Sequence, residues 1–163
     1  MAEEVDFRLA GESDAAAVIE LLKKLKTESD TFVVDSDLDS LTVEDEAKMI
    51  SLISLSRSSL MAVSTLGDEL IGIVTVEFLK KGIGELGVAV LSEFQGYQIG
   101  SNLVEMAIEW SIEYSNLDKL ALTVFKDNAP AIHIYEKYGF KVMTDITIDE
   151  RPAVYMEIAT SEE

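Results

Sequence analysis

Residues 88–103 of this chain read VAVLSEFQGYQIGSNL, and this stretch decides the fold. Its first four residues are apolar strand formers, so a β-strand is predicted to end near Leu91. A polar loop that contains two glycines then runs to Gly100. After the loop, apolar residues recur at the spacing of an amphipathic helix, namely Leu103, Met106, Ala107, Trp110 and Tyr114. The sequence therefore predicts a strand, a glycine-containing loop and a helix in direct succession.

Such a succession directs several backbone N–H groups, together with the positive end of the helix dipole, towards one point. That point is suited to an anionic phosphate group. Several nucleotide-binding folds share the arrangement. The pattern alone therefore indicates a phosphate-binding loop without selecting a family.

Two short segments narrow the choice of family. Residues 95–100, QGYQIG, resemble the Q/R-x-x-G-x-G/A signature with which the GNAT superfamily of N-acetyltransferases cradles the pyrophosphate of acetyl-CoA. Residues 128–140, NAPAIHIYEKYGF, are similar to the N-x-x-A-x-x-x-Y-x-x-x-G-F segment of the same superfamily. One position differs, because Gln98 stands where the family usually has its first glycine. A glutamine there would incur strain or crowding if the backbone needs a positive φ or approaches the phosphate closely.

The resemblance implies the GNAT fold, of class α/β (α+β), in a single domain over residues 1–163. Its central sheet is expected to be mixed and mostly antiparallel, with about six to seven strands, splayed at the fourth strand and flanked by about four helices. Alternation and turn signals predict strands at residues 5–9, 59–65, 69–80, 85–91, 119–126, 141–148 and 153–159. Further helices are predicted from residue 13 or 14, from Thr42 and from Asn128, with a loop over residues 31–41.

The composition excludes several classes of protein. With 163 residues, of which 48% are hydrophobic, the chain can form one globular domain with a substantial core. It contains no cysteine, which excludes disulfides, cysteine-ligated zinc and a cysteine nucleophile, and we expect no metal. No apolar run reaches membrane-spanning length, and residues 1–7 lack the features of a signal peptide. We therefore expect a soluble, cytoplasmic protein.

The formal net charge of −18 limits the partners of the chain. Such a surface repels nucleic acid and anionic membranes, and we expect neither as a primary partner, whereas a cationic amine would be attracted. By resemblance, the acceptor side of the cleft lies around the first two predicted helices. Acidic residues accumulate there: Glu28, Asp30, Asp35, Asp37, Asp39 and Asp45. They either select a cationic acceptor or form a solvated surface that only maintains solubility.

Acetyl transfer from a thioester to an amine needs a deprotonated amine, a polarised carbonyl group and a proton for the departing thiolate. By resemblance, the backbone of Val88, Ala89 and Val90 would hold the pantetheine arm of acetyl-CoA, the co-substrate, like an added strand. One N–H of this strand would polarise the thioester oxygen. Phosphate contacts would come from Gln95, Gly96, Tyr97, Gln98, Ile99, Gly100 and Ser101. Asn128 would lie near the pantetheine or phosphate arm.

Tyr135 matches the family tyrosine that lies beside the sulfur and can act as general acid. A phenol with an ordinary pKa of about 10 is protonated at neutral pH, although helix position alone would equally suit a packing residue. Glu85 is the first candidate for the general base, because family members often carry a glutamate on this strand, and Glu77 is the second. Alternation places Glu85 and Val88 on opposite faces of the strand unless a bulge intervenes, as it commonly does in this strand of the family.

Three functional hypotheses follow. The first is an enzyme that acetylates a primary amine of a neutral or cationic small molecule by direct attack in a ternary complex. The second is a protein N-terminal acetyltransferase of the ribosomal-protein type. The third is a non-catalytic acyl-CoA-binding module, for which Gln98 is the main argument. The sequence determines neither the acceptor nor the oligomeric state, although an exposed final strand could pair two copies into a homodimer.

Overall fold

A computed structural model describes residues 4–28 and 40–161 of the chain. The strands are β1 Val5–Leu9, β2 Leu60–Leu66, β3 Glu69–Lys80, β4 Ile83–Val90, β5 Lys119–Phe125, β6 Lys141–Ile148 and β7 Arg151–Ala159. The helices are α1 Ala15–Glu28, α2 Val43–Ser54, α3 Ile99–Glu113 and α4 Ala129–Lys137. Thr42 caps α2 as the sequence predicts, because its hydroxyl accepts a hydrogen bond from the Asp45 N–H at 3.0 Å.

The seven strands form one mixed sheet in the order β1-β2-β3-β4-β5-β7-β6. Neighbouring strands are antiparallel except for β4 and β5, which are parallel. β4 and β5 pair only near their beginnings, from Ile83 opposite Lys119 to Glu85 opposite Ala121. Their remaining halves separate, and the sheet opens between them. The predicted mixed sheet that splays at its fourth strand is therefore confirmed.

Helices cover both faces of the sheet. Leu103 of α3 packs so closely on β3 that a Cβ added to Gly72 would lie 3.1 Å from the Leu103 Cδ1 atom. α4 lies on the same face, where Gly139 at its end approaches Ile158 of β7. α1 and α2 pack against each other on the opposite face, which we call the α1 face. The two layers bury a core that includes Val18, Leu21, Ile50, Ile71, Val74, Leu103, Leu120 and Met156.

Two strands begin two residues earlier than predicted, and the other strand boundaries agree to within one residue. β4 begins at Ile83 instead of residue 85, because the preceding turn closes at Gly82, whose φ of 81° suits glycine. β7 begins at Arg151 instead of residue 153, because Asp149 and Glu150 form a two-residue turn with φ values of 49° and 67°. This tight turn brings Arg151 onto the end of the sheet. Most of the predicted loop over residues 31–41 lies outside the described residues.

Candidate functional site

The gap between the separated halves of β4 and β5 is the centre of a cleft of about 1340 Å³. Residues 86–90 of β4 and residues 123–125 of β5 form its two walls. The beginning of α3 and most of α4 border it on one face of the sheet, and the end of α1 and the β6–β7 hairpin border it on the other. A smaller recess of about 510 Å³ beside Asp6 and Asp68 contains none of the predicted site residues.

The backbone of β4 presents hydrogen-bonding groups to this crevice. The Leu91 N–H donates to the Ile71 carbonyl of β3 at 2.9 Å. Because backbone groups alternate in direction along an antiparallel strand, those of Val88 and Val90 point away from β3 and into the crevice. The Gln95 Nε2 group agrees with this direction, since it donates to the Val90 carbonyl at 3.1 Å. An extended ligand can therefore hydrogen-bond to β4 where the sheet lacks a neighbour.

The first turn of α3 places backbone donors at one end of the crevice. The first hydrogen bond of this helix runs from the Asn102 N–H to the Gln98 carbonyl at 3.0 Å. The N–H groups of residues 99–101 consequently have no partner within the helix. Gly100 lies nearest to β4, since a Cβ added there would be 3.7 Å from the Val90 Cγ2 atom. These donors and the helix dipole suit a phosphate group.

Two residues before α3 have a left-handed backbone. Gly96 has a φ of 92°, and an added Cβ would meet no atom within 4 Å, so conformation and not space requires glycine there. Gln98 occupies the N-cap position of α3 with a φ of 64° and a ψ of 16°. The position where the family usually has glycine thus does adopt a positive φ, at a cost of about 1–2 kcal/mol for a residue with a side chain.

α4 contributes Asn128 and Tyr135 to the cleft. The Asn128 Oδ1 atom accepts a hydrogen bond from the Ala131 N–H at 3.4 Å and so caps the helix. The Tyr135 ring is half-buried and meets the Phe140 ring edge-on, with the ring centroids 5.8 Å apart. Burial raises the pKa of Tyr135 to about 12, because a phenolate would be poorly solvated there. The phenol therefore keeps its proton at neutral pH.

Glu85 faces the opposite side of the sheet from Val88. The register between β3 and β4 is unbroken from Gly84 to Val90, so no bulge turns Glu85 towards Val88. A Cβ added to Gly84 would meet Leu117 on the α3 side, and alternation then directs Glu85 to the α1 face. Glu85 and Val88 therefore lie on opposite faces of β4, as strand alternation predicts, and β4 lacks the bulge that is common in this strand of the family.

A strip of acidic side chains crosses the α1 face at the level of Glu85. Glu85 lies opposite Glu77 of β3 and opposite Ala121 of β5, and Ala121 lies opposite Glu157 of β7. The Tyr155 hydroxyl donates to the Glu157 Oε2 atom at 2.8 Å. Burial raises the pKa of Tyr155 to about 12, with smaller contributions from the carboxylates of Glu157 and Glu85. This part of the α1 face is suited to hold a cationic group.

One aromatic and one cationic residue of the cleft, Phe125 and Arg151, are not marked by any signal in the sequence. The guanidinium carbon of Arg151 lies 3.9 Å from the centroid of the Phe125 ring. The Arg151 Nη2 atom lies 3.2 Å from the Asp127 Oδ2 atom. No motif or periodicity marks Arg151, because the sequence prediction assigned residues 149–152 to a connection.

The structure brings nearly all of the predicted site residues together. Those that line the cleft are Glu85, Val88, Ala89, Val90, Gln95, Gly96, Gln98, Ile99, Gly100, Ser101, Asn128 and Tyr135. Tyr97 is not among them, and it is 72% exposed. The second candidate base, Glu77, is also absent from the cleft wall.

The acidic residues around the first two helices have different positions. Glu28 lies in the cleft, where its carboxylate accepts a hydrogen bond from the Ser92 N–H at 2.8 Å. Asp45 lies in the first turn of α2. The remaining residues fall outside the described part of the chain, namely Asp30, Asp35, Asp37 and Asp39. Within residues 4–28 and 40–161, no His, Asp and Glu side chains cluster in a way that could hold a metal ion. The helices of the same ranges are too short or too polar to cross a membrane.

Comparison with known proteins places these features in context. The model of the acetyltransferase (GNAT) family matches residues 19–140. The L-amino acid N-acetyltransferase AaaT of Escherichia coli K12 is 31% identical over 84 residues, which cover 49% of this chain and 52% of that enzyme. The spermidine N(1)-acetyltransferase of the same strain is 38% identical over 58 residues, which cover 36% of this chain and 31% of that enzyme. The chain thus matches about half the length of the first relative and a third of the second.

A solved structure covers nearly the whole chain. The acetyltransferase of GNAT family from Streptococcus pneumoniae superposes with a TM-score of 0.85 at 27% identity. The superposition covers 96% of this chain and 99% of that protein.

Proposed function

Because the chain belongs to the acetyltransferase (GNAT) family, we propose that it transfers the acetyl group of acetyl-CoA to a primary amine of a small molecule. The observation that carries this proposal is the crevice between β4 and β5, with the backbone groups of Val88 and Val90 along it and the first turn of α3 at its end. In this proposal the two substrates bind together, and the amine attacks the thioester directly. Since the chain has no cysteine, no acetyl group is carried on a protein thiol.

The crevice suits the elongated shape of acetyl-CoA. Its pantetheine arm contains amide groups, which can pair with the Val88 and Val90 backbone as a short added strand. Its pyrophosphate matches the N–H groups of residues 99–101 in charge and hydrogen-bonding type. The global charge of −18 opposes the binding of a polyanion, so these local donors have to supply the affinity.

The proposed reaction exchanges one carbon–sulfur bond for one carbon–nitrogen bond. The amine nitrogen adds to the thioester carbon, and a β4 N–H stabilises the negative charge on the carbonyl oxygen. The carbon–sulfur bond then breaks, and the phenol of Tyr135 donates its proton to the departing thiolate. The amine loses a proton through water to Glu85, which lies on the α1 face of the same strand and later releases that proton to solvent. Solvent reprotonates Tyr135 before the next turnover.

The acceptor is proposed to enter from the α1 face. α3 and α4 cover the other face of the sheet. On the α1 face, the cleft is bordered by an acidic side chain at the end of α1, Glu28, and by a basic one at the β6–β7 hairpin, Arg151. The names of the two relatives indicate acceptors of this kind, since L-amino acids and spermidine are both small molecules with primary amines.

The proposal is tested by incubating the purified chain with acetyl-CoA and measuring thiol release with L-amino acids, polyamines, amino sugars and short peptides. Saturable release with at least one free small amine supports it. Release with peptides alone would favour an N-terminal acetyltransferase, and binding of acetyl-CoA without release in any mixture would favour a non-catalytic module. Either of these outcomes would overturn the proposal.

The role of Tyr135 is tested with a matched pair of variants. Tyr135→Phe should lower kcat by about 100-fold or more, because the thiolate loses its proton donor, while the Kd for acetyl-CoA changes little. Tyr138→Phe removes a hydroxyl from the residue that directly follows α4 and lies outside the cleft, and its kcat should be close to that of the parent chain. Equal rates for the two variants would exclude Tyr135 as the acid.

A further inference from the structure

Arg151 lies on the acceptor side of the cleft and on the same face of the sheet as Glu85. Phe125 of β5 is paired with Ala153 of β7, and Arg151 lies two residues before Ala153, so its side chain projects from the same face as that of Phe125. Phe125 in turn shares a face with Ala121, four residues earlier, which lies opposite Glu85. Arg151 and Glu85 therefore border the same α1 face from two ends of β5.

Neighbouring groups hold the guanidinium group of Arg151 in a defined position. Its central carbon lies 3.9 Å from the Phe125 ring centroid, in the stacked geometry of a cation–π contact. Its Nη2 atom donates to both carboxylate oxygens of Asp127, at 3.2 and 3.4 Å. The Asp127 side chain is 72% exposed and the Arg151 side chain 33% exposed, so water screens this ion pair. The Phe125 ring and the Asp127 carboxylate thus hold the guanidinium group in position at the end of β7.

The two ends of this face carry opposite charges. At the inner end, the carboxylates of Glu85 and Glu157 lie at the level of Ala121. At the outer end, the guanidinium group lies over Phe125, about 13 Å further along the strand at 3.3 Å per residue. The crevice-facing backbone of Val88 lies between the two ends. An acceptor whose amine reaches the thioester would thus have an acidic strip on one side and a cation on the other.

We propose that Arg151 binds the carboxylate of the acceptor, and that the acceptor is an α-amino acid or a close derivative that keeps its free carboxylate. A planar guanidinium group can bind a carboxylate through two parallel N–H donors. A polyamine carries only cationic groups and would be repelled at Arg151, whereas the carboxylate of an amino acid would be attracted there. This inference rests on the proposed acetyl transfer and adds the class of acceptor.

The experiment compares each acceptor with its own primary amide, which keeps the amine and side chain but lacks the negative charge. L-leucine, L-phenylalanine and L-glutamine are assayed with their amides, together with spermidine, using the parent chain, Arg151→Gln and Lys126→Gln. Lys126→Gln is the matched control, since it also removes one positive charge beside the cleft from a side chain that pairs with Asp145 at 3.1 Å. The α-amine of an amino acid amide is less basic than that of the free acid, so the two react at different rates even without Arg151. For each variant we therefore calculate the ratio of kcat/KM for the acid to kcat/KM for its amide, and we compare this ratio between variants.

Arg151→Gln should lower the acid-to-amide ratio by about 10- to 100-fold, the effect of losing a hydrogen-bonded charge pair, and should leave kcat/KM for the amides within about threefold. Lys126→Gln should leave the ratio unchanged. An unchanged ratio in Arg151→Gln would overturn the inference and leave the acetyl transfer intact. A higher KM for acetyl-CoA in Arg151→Gln, with an unchanged acid-to-amide ratio, would show that Arg151 binds acetyl-CoA instead of the acceptor. This result would also overturn the inference. Thiol release with none of these acceptors would overturn the inference, and only its absence across the wider amine panel would also refute the proposed function.

Discussion

Replacing Gln98 with glycine should stabilise the chain, although it removes a side chain from the wall of the proposed cofactor site. Gln98 has a φ of 64° at the N-cap of α3 and makes no side-chain capping hydrogen bond. A left-handed conformation costs a residue with a Cβ about 1–2 kcal/mol. Glycine avoids that cost but loses about 0.5–1 kcal/mol more conformational entropy on folding. The expected net gain is about 0.5–1 kcal/mol, or about 1–4 °C in Tm for a chain of this size.

The assay is urea denaturation followed by circular dichroism, with two further variants as controls. Gln98→Ala keeps the Cβ in the left-handed conformation and should be about as stable as the parent chain. Tyr97→Gly changes an exposed neighbour whose φ is not positive, and it should lose about 0.5–1 kcal/mol. If Gln98→Gly were no more stable than Gln98→Ala, the backbone of residue 98 would not be strained, and the reasoning would be refuted. Calorimetry of Gln98→Gly with CoA should give a Kd no weaker than that of the parent chain.

Three further predictions concern ionisable groups outside or inside the cleft. Asp14→Asn should cost about 1–2 kcal/mol at pH 7, because Arg8 donates two hydrogen bonds to Asp14, at 2.7 and 2.8 Å, and these lower the pKa of its carboxyl group. A carboxyl group with a lowered pKa contributes its full stabilisation only above the pKa that it has in the unfolded chain. Urea denaturation should therefore show the stability difference between the parent chain and Asp14→Asn shrinking as the pH falls below about 4. Glu46→Gln should raise Tm at pH 7, because burial raises the pKa of Glu46 and makes its charged form unfavourable. This gain should disappear as the pH falls through the raised value towards the ordinary glutamate pKa, and a gain that is constant with pH would contradict the assignment. Because the pKa of Tyr135 is raised to about 12, kcat should show no alkaline loss below pH 10. A fall in kcat near pH 9 that is absent in Tyr135→Phe would contradict the raised pKa of Tyr135.

The backbone conformation at the proposed phosphate-binding end of the cleft could be predicted from the sequence because it is determined locally. Gly96 has a φ of 92°, which glycine adopts without strain, and Asn128 caps α4 through its own side chain. The opposite orientations of Glu85 and Val88 followed from the alternation of a strand, and the unbroken register of β4 preserves it. Such features depend on a few consecutive residues, which a sequence pattern records directly.

The side of the cleft proposed for the acceptor could not be predicted in the same way, because it depends on pairing between distant parts of the chain. Arg151 reaches Phe125 only because β7 pairs with β5 in the register that places Ala153 opposite Phe125. The turn before Arg151 is formed by Asp149 and Glu150, which adopt positive φ values without a glycine to signal them. A sequence pattern contains neither the register nor this turn type. The charge at the outer end of the α1 face therefore became visible only in the structure.

The central claim is that acetyl-CoA occupies the opening between β4 and β5. A crystal structure of the chain with a non-hydrolysable acetyl-CoA analogue tests it most directly. We expect the pantetheine arm to hydrogen-bond to the backbone of Val88 and Val90, with the pyrophosphate on the N–H groups of residues 99–101. An analogue that binds elsewhere, or an empty crevice at saturating analogue concentration, would contradict the claim.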